Sequence, residues 1–220
     1  MKNTIKKVIE DSYKYNLGHI PSALSVLPIV KNLYESSVRY PIVLGKSFGL
    51  QAWFIDETVE EIYKKNRQYK ILTPEFFSNS VFDVVYTQQQ LGLAAGYAVG
   101  YSIANNIPVI CILSDGDFFL SSTISAIDTA IRFNTKVHFI IDHNNVQLFS
   151  ERSIEHMKFH SVEYTEQYRP EEYDYTKPKI LCVNTIKGYG CTVLEERPKD
   201  WHYRKISDIT ELEYLLANVS

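Results

Sequence analysis

The sequence predicts an α/β protein with three layers, in which helices cover both faces of a mainly parallel sheet. Apolar runs of strand length lie at 108–113, 136–141 and 180–183, and such runs are typical of strands buried on both faces of a parallel sheet. Helix-periodic segments separate the runs, and this alternation favours the α/β architecture. With 220 residues the chain suits one full-sized domain, so we expect residues 1–220 to form a single domain.

The composition excludes several classes of protein. Apolar residues make up 45% of the chain and charged residues 22%, as in ordinary soluble globular proteins. The formal net charge of -3 gives no electrostatic basis for binding nucleic acid. The three cysteines are odd in number, far apart and set in apolar runs, which favours buried, reduced thiols over disulfides or a zinc site. We therefore expect a cytoplasmic protein.

One uncharged segment, 88–114, raises the question of a membrane. Asn105-Asn106-Ile107-Pro108 breaks this segment, and neither half is long enough for a bilayer core of roughly 30 Å. The first residues are charged and helix-periodic, without the pattern of a signal peptide. We expect a buried helix followed by a buried strand, and no membrane insertion.

Helices are expected between and around the strands. Ser22 can cap the second of them, which places His19 in the turn that precedes it. The predicted helices run over 4–15, 23–34, 91–105 and 121–133, with a last one starting at Asp208. Residues 146–176 are polar, aromatic and poor in glycine, which suggests short helices over the ends of the sheet.

Gly92, Gly96 and Gly100 recur every fourth residue in the third predicted helix and would share one face. Each glycine costs a helix about 1 kcal/mol relative to alanine, so three on one face require a reason. Close approach of another backbone is the natural one. It could come from a helix of the same domain or from another subunit, and the sequence leaves both open.

Two polar turns follow neighbouring strands of the predicted sheet. Asp115-Gly116 closes the strand at 108–113, and Asn144-Asn145 closes the strand at 136–141. Ligands of such sheets bind beyond the carboxyl ends of the strands. A carboxylate, an amide oxygen and a nearby backbone carbonyl suit Mg²⁺, and Gly116 would let a diphosphate lie against the backbone. The alternative is that both are ordinary turns.

Several motifs in this order resemble those of thiamine-diphosphate enzymes, and specifically the N-terminal, diphosphate-binding half of transketolases. The resemblance extends over roughly residues 5–216. Besides the Asp115-Gly116 turn, the segments that carry it are GHIPSALS, YTQQQLGLAAGYAVG, IIDHNNVQ, NTIKGYG and DWHY.

The resemblance implies a thiamine-diphosphate-binding fold and a role for individual residues. Asp115, Asn144 and the carbonyl of Val146 would bind Mg²⁺ or Ca²⁺. His19 and His202 would be catalytic, as proton shuttles or as donors to a developing alkoxide. The residues expected to contact the cofactor are Gln89, Leu91, Gly116, Asp117, Asn144 and His202.

The implied activity is that of a transferase, in which a carbanion on the thiazolium ring attacks a carbonyl and transfers a ketol or acyl unit. The cofactor-activating glutamate of transketolases lies in a pyrimidine-binding domain that would follow this sequence. The resemblance therefore implies a separate partner subunit, a heterotetramer, and no activity of this chain alone. A thiamine-dependent 2-oxo acid decarboxylase subunit and a non-catalytic relative that binds a partner are the alternatives.

Some positions depart from the transketolase pattern. They suggest an unusual carbonyl or sugar substrate, such as an activated sugar in specialised carbohydrate metabolism. The departures are Phe48, Thr73, Gln88, Gln90, Ser114 and Leu120.

Overall fold

The structure is a computed structural model of the chain, and it describes residues 1–45, 49–54, 77, 81–87, 90–146 and 162–220. Within these ranges the chain forms six strands, seven α-helices and short 3-10 turns. The strands are β1 Ile42–Leu44, β2 Val84–Thr87, β3 Val109–Ser114, β4 Val137–His143, β5 Val162–Thr165 and β6 Lys179–Asn184. The helices are α1 Lys2–Lys14, α2 Ile20–Glu35, α3 Ala94–Asn105, α4 Asp115–Phe118, α5 Ser121–Arg132, α6 Thr192–Glu196 and α7 Ile209–Ala217.

The six strands form one sheet in the order β2-β1-β3-β4-β6-β5, and every neighbouring pair is parallel. The chain leaves β1 towards β2 on one side of the sheet, and it leaves β3 towards β4 on the other. Strand order therefore reverses between β1 and β3. Ligands of open parallel sheets bind at the carboxyl ends of the strands beside such a reversal.

The apolar side chains of the central strands alternate between two cores. On β3, Ile110 and Ile112 pack with buried residues of α1, α2 and α7. Cys111 and Leu113 of the same strand pack on the other face, with buried residues of α3 and α5. Because both faces are covered, consecutive residues are apolar in the middle of these strands, over 109–113, 139–141 and 180–183. The predicted three-layer α/β fold is confirmed.

The central elements match the prediction, and the edge elements do not. β3, β4 and β6 lie at the three predicted apolar runs. The edge strand β5 was not expected, because the segment after Val146 was predicted to form short helices. That prediction is wrong for Val162–Thr165, while 147–161 lie outside the described residues. The other edge strand, β2, was not predicted either.

The structure also bears on the predictions about the cysteines and about membrane insertion. Cys111, Cys182 and Cys191 are buried and free, as expected. None of the helices in the described ranges combines the length and the apolar character that a membrane crossing requires.

Candidate functional site

The turn after β3 is a short helix rather than an open turn. Ser114 is its N-cap: its Oγ accepts a hydrogen bond from the Asp117 backbone N–H at 3.1 Å, and its hydroxyl donates to Asp117 Oδ2 at 2.8 Å. Ser114 is one of the departures from the transketolase pattern, which has a glycine at this position. Its role here is local, because it closes the first turn of α4.

Asp115 and Gly116 are the first two residues of this short helix. The Asp115 side chain is buried, and its Oδ1 accepts a hydrogen bond from the Gly116 backbone N–H at 2.9 Å. A Cβ added to Gly116 would meet only Ser114 Oγ at 3.5 Å and Leu91 Cδ1 at 3.7 Å, both ordinary contact distances. Packing of the described chain therefore does not require glycine here. The space beside Gly116 can admit a ligand close to the backbone.

Asp117 was expected to contact the cofactor, and the structure surrounds its carboxylate with donors of the protein. Oδ1 accepts from the Gly92 backbone N–H at 2.9 Å, while Oδ2 accepts from the Ser114 backbone N–H at 3.2 Å as well as from its hydroxyl. The side chain is fully buried. Asp117 thus joins the turn after β3 to the turn that precedes α3.

Leu91, another expected cofactor contact, lies in that second turn. Its side chain is 39% exposed and, as noted, comes close to Gly116. Gln90 beside it is exposed. The expected contact Gln89 and the departures Phe48, Thr73 and Gln88 lie outside the described residues.

Asn144 follows β4, and both the nitrogen and the oxygen of its side-chain amide form hydrogen bonds. Its Nδ2 donates to Ser25 Oγ at 2.9 Å and to Asp142 Oδ2 at 3.4 Å. Its Oδ1 accepts from the Val146 backbone N–H at 3.1 Å, across Asn145, whose φ is +57°. Because Oδ1 has a second lone pair, this amide oxygen can still bind a cation.

The chemistry of these groups fits a hard divalent cation. β3 and β4 are adjacent and parallel, with Ser114 opposite Asp142, so Asp115 and Asn144 leave the same edge of the sheet. Only one of the three expected ligands is a carboxylate. The described residues accordingly hold no cluster of three or more His, Cys, Asp or Glu side chains that could bind a metal. An Asp–Asn–carbonyl set with open positions is instead typical of Mg²⁺ sites completed by phosphates and water.

The two predicted catalytic histidines lie together, although they are far apart in the chain. The ring centroids of His19 and His202 are 5.1 Å apart with an edge-to-face arrangement, and the Tyr203 ring lies 5.0 Å from His19 and 4.6 Å from His202. Gly18 permits this contact, because a Cβ there would come within 3.1 Å of the Tyr203 carbonyl oxygen. Gln51 also fixes this loop, since its Nε2 donates to the Gly18 carbonyl at 3.1 Å.

His19 does not lie in a turn before a helix capped by Ser22, so that prediction is wrong. It is itself the N-cap of α2, with φ +57° and ψ +29°. A left-handed backbone is uncommon for a histidine and unfavourable for its side chain. It places the imidazole outside the helix, beside His202.

The glycine pattern of the third predicted helix is only partly as expected. Gly92 precedes α3 in a turn, with φ +88°, and a Cβ there would lie 2.6 Å from Ser122 Oγ. Gly96 and Gly100 are in α3, and within the described chain nothing lies within 4 Å of a Cβ added to either. Packing against the described residues therefore does not explain these two glycines. Contact with another subunit stays a prediction.

Residues that the sequence did not point to lie beneath Asn144. Ser25 of α2, Asp142 of β4 and Thr185 after β6 form a buried polar cluster. Thr185 also lines a cavity of about 510 Å³ between α2, the end of β6 and 166–168. A carboxylate directly after the apolar run 139–141 is the signal that could have identified Asp142.

His138 near the start of β4 is a different kind of histidine. Burial lowers its pKa to about 4, and its Nε2 lies 3.0 Å from the Asp174 carbonyl oxygen. Its ring stacks on Tyr175 with centroids 4.1 Å apart. Since it lies at the amino end of the sheet, opposite the Asp115 turn, its role is in packing.

A family model matches more than half of the chain. Residues 63–211 match the family model described as thiamine pyrophosphate enzyme, C-terminal TPP binding domain. A search of the curated proteins found no sequence match.

The similar solved structures include transketolases. The chain is 16% identical to transketolase from Leishmania mexicana (TM-score 0.63; 98% of this chain and 43% of that chain covered). It is 18% identical to transketolase from Campylobacter jejuni (TM-score 0.68; 98% and 42% covered) and 17% identical to a transketolase variant from Pichia stipitis (TM-score 0.68; 98% and 40% covered). The chain thus spans about two fifths of the length of these transketolases, and this likeness confirms the fold. The family match covers more than half of the chain, so this protein belongs to the thiamine pyrophosphate enzymes, through their TPP-binding domain.

Proposed function

We propose that this chain is the diphosphate-binding subunit of a two-component, thiamine-diphosphate-dependent transketolase-like transferase. The observation that carries the proposal is the pair of turns at the carboxyl ends of β3 and β4. There a buried Asp115 and an oriented Asn144 leave adjacent parallel strands in a member of the thiamine pyrophosphate enzymes.

In this proposal the chain holds the cofactor through its diphosphate. Asp115, the Asn144 amide oxygen and the Val146 carbonyl bind Mg²⁺ or Ca²⁺, and the cation neutralises the diphosphate oxygens. Gly116 lets the diphosphate approach the backbone, as the open space around its Cα permits. The bound cofactor supplies the nucleophilic carbon for making and breaking carbon–carbon bonds beside a carbonyl.

The paired imidazoles are the groups that hold and move protons. Each histidine carries a ring nitrogen that can donate to an oxygen or accept from a hydroxyl near neutral pH. The edge-to-face contact of His19 with His202 and Tyr203 fixes both rings, so a carbonyl oxygen of the substrate would meet donors already in position.

A second polypeptide completes the enzyme in this proposal. The chain covers 40% to 44% of the transketolase chains to which it is similar, and in this proposal the partner subunit supplies the remaining domains. The exposed side of α3 supports a contact, because it carries Gly96 and Gly100 together with Leu93, Tyr97 and Ile103, which are 45%, 38% and 54% exposed. Apolar groups exposed together are typical of interaction surfaces. We expect a heterotetramer of two such pairs, acting on a carbonyl or sugar substrate.

The experiment is calorimetry with thiamine diphosphate and Mg²⁺, on this chain alone and mixed with a candidate partner that resembles the remaining transketolase domains. We expect cofactor binding that depends on Mg²⁺, and ketol transfer only in the mixture. Absence of cofactor binding in both samples would contradict the proposed enzymatic function and would favour a non-catalytic relative that binds a partner.

A decarboxylase subunit is the second candidate, because the matching family model covers thiamine pyrophosphate enzymes in general. Release of carbon dioxide from pyruvate without a sugar acceptor would favour it. Transfer of a two-carbon unit to an aldehyde without carbon dioxide release would favour the transketolase-like activity.

A further inference from the structure

A buried polar cluster lies directly beneath the Asn144 amide. Ser25 Oγ donates to Asp142 Oδ1 at 2.7 Å, and Thr185 Oγ1 donates to the same oxygen. The two hydroxyl oxygens are 3.1 Å apart, and both Ser25 and Asp142 are fully buried. Asn144 completes the cluster through its Nδ2, which donates to Ser25 Oγ at 2.9 Å.

The directions of these hydrogen bonds follow from the chemistry of the groups. A carboxylate only accepts, so the hydroxyl hydrogens of Ser25 and Thr185 both point at Asp142. The Ser25 oxygen is then left as an acceptor, with Asp142 Oδ2 as a second acceptor 3.4 Å from the Asn144 amide nitrogen. Two acceptors on one side require the NH₂ group of Asn144 on that side.

The opposite orientation of the amide is unfavourable. Rotation by 180° would place Asn144 Oδ1 against the Ser25 oxygen and the Asp142 carboxylate, and would turn the NH₂ group towards the Val146 backbone N–H. Acceptor would then face acceptor and donor would face donor, all in a buried site where unpaired polar groups are costly. The cluster thus selects one orientation of an amide whose two ends have nearly the same shape.

We propose that Ser25, Asp142 and Thr185 are positioning residues that fix the Asn144 amide with its oxygen turned outward, and thereby set the affinity of the site for a divalent cation. This inference rests on the proposed function. It assigns a task to three side chains from different elements, namely α2, β4 and the loop after β6. Groups that orient metal ligands commonly change metal affinity by about 10- to 100-fold when they are removed.

The positioning role also gives a reason for the buried carboxylate of Asp142 in the sheet. Asp142 follows Ile140 on the side of β4 that packs against α2, where Ile110, Ile112 and Leu181 are apolar. Burial of a carboxylate is unfavourable unless hydrogen bonds compensate it. Here Ser25, Thr185 and Asn144 provide them, and the last of these is the expected metal ligand.

The test compares Ser25→Ala with Ser36→Ala in the full chain. Both change a buried serine of the α2 region to alanine, but Ser36 lies at the other end of the helix and donates to the Leu33 carbonyl at 2.9 Å. Binding of Mn²⁺ in the presence of thiamine diphosphate is measured by electron paramagnetic resonance. We expect Ser25→Ala to weaken Mn²⁺ binding by about 10-fold or more, and Ser36→Ala to leave it unchanged.

A second measurement follows the amide itself without metal. In the wild type, the side-chain NH₂ protons of Asn144 should exchange slowly with water, because they are buried and bonded to Ser25 and Asp142. Ser25→Ala should speed this exchange in NMR spectra, and Thr185→Val should do so less, since Thr185 acts on Asn144 through Asp142 and Ser25.

The outcomes separate this inference from the proposed function. Equal Mn²⁺ affinity of the wild type and Ser25→Ala would overturn the positioning role alone. Absence of Mn²⁺ binding by the wild type, with slow amide exchange, would overturn the proposed function and the metal-related part of the inference. Fast exchange of the Asn144 amide in the wild type would overturn the orientation itself.

Discussion

Replacement of Asp117 with alanine separates two roles for this carboxylate. As a cofactor contact, Asp117 would matter chiefly for ligand binding. As the link between two turns, it should matter for the stability of the chain without any ligand. The structure supports the second role, because three donors of the protein already occupy its oxygens.

The magnitude follows from the donors that the substitution would leave. The backbone N–H groups of Gly92 and Ser114 would lose a charged acceptor, while the Ser114 hydroxyl can rotate to another partner. A buried donor without an acceptor costs about 1–3 kcal/mol. We therefore expect Asp117→Ala to lower the free energy of unfolding by about 3 kcal/mol.

The assay is urea unfolding of the chain without cofactor, followed by circular dichroism. Asp128→Asn is the matched control, because Asp128 is exposed on α5 and forms a surface ion pair with Arg132 at 2.7 Å. Such pairs contribute about 0–1 kcal/mol, so the control should be nearly neutral. If Asp117→Ala were as stable as this control while cofactor binding was lost, the role as a link between turns would be refuted.

Further expectations concern glycines and histidines. Gly92→Ala should destabilise the chain by about 2 kcal/mol in urea unfolding, because φ is +88° and the new Cβ would lie 2.6 Å from Ser122 Oγ. Gly96→Ala in α3 should stabilise the isolated chain by about 1 kcal/mol, because alanine favours a helix over glycine. A Gly92→Ala variant more stable than Gly96→Ala would contradict the left-handed backbone at Gly92. Since burial lowers the pKa of His138 to about 4, the unfolded chain binds a proton at higher pH than the folded one. Its contribution to stability is full above pH 6.5 and declines as the pH falls towards 4, by about 3 kcal/mol in total. The stability of His138→Gln should therefore depend less on pH over this range, and equal slopes would contradict the assignment. His202→Ala should leave the unfolding transition unchanged and lower turnover of the assembled enzyme by about 100-fold or more, and full activity would make this histidine a loop residue only.

The buried centre of the fold could be predicted because its sequence signal is local. β3, β4 and β6 each contain a run of consecutive apolar residues, over 109–113, 139–141 and 180–183, and both cores require such runs. The edge strand β5 carries no such signal, since it reads Val-Glu-Tyr-Thr and its side chains are half-buried or exposed. The other edge strand, β2, reads Val-Val-Tyr-Thr and is only four residues long. Their pairing depends on the neighbouring strand, which a local pattern does not reveal.

The sequence indicated where the candidate site residues lie but not which residues support them, and the roles of the candidate residues stay predictions. Asp115, Gly116 and Asn144 stand at strand ends, and His19 and His202 are conspicuous in their loops. That Gly18 admits the Tyr203 backbone, and so brings the histidines together, depends on tertiary contact. The same holds for Ser25, which in sequence is one small residue of an apolar helix. Its contact with Asp142 and Asn144 depends on how α2 is rotated against the sheet.

The measurement that tests the central claim most directly is calorimetric titration of thiamine diphosphate into the wild type and into Asp115→Ala, each with and without Mg²⁺. We predict binding by the wild type that requires Mg²⁺, and a loss of at least about 100-fold in affinity for Asp115→Ala, whose folded state remains intact by circular dichroism. Equal, metal-independent binding by the two proteins would contradict the account, because the cofactor would then not be held through a cation at the ends of β3 and β4.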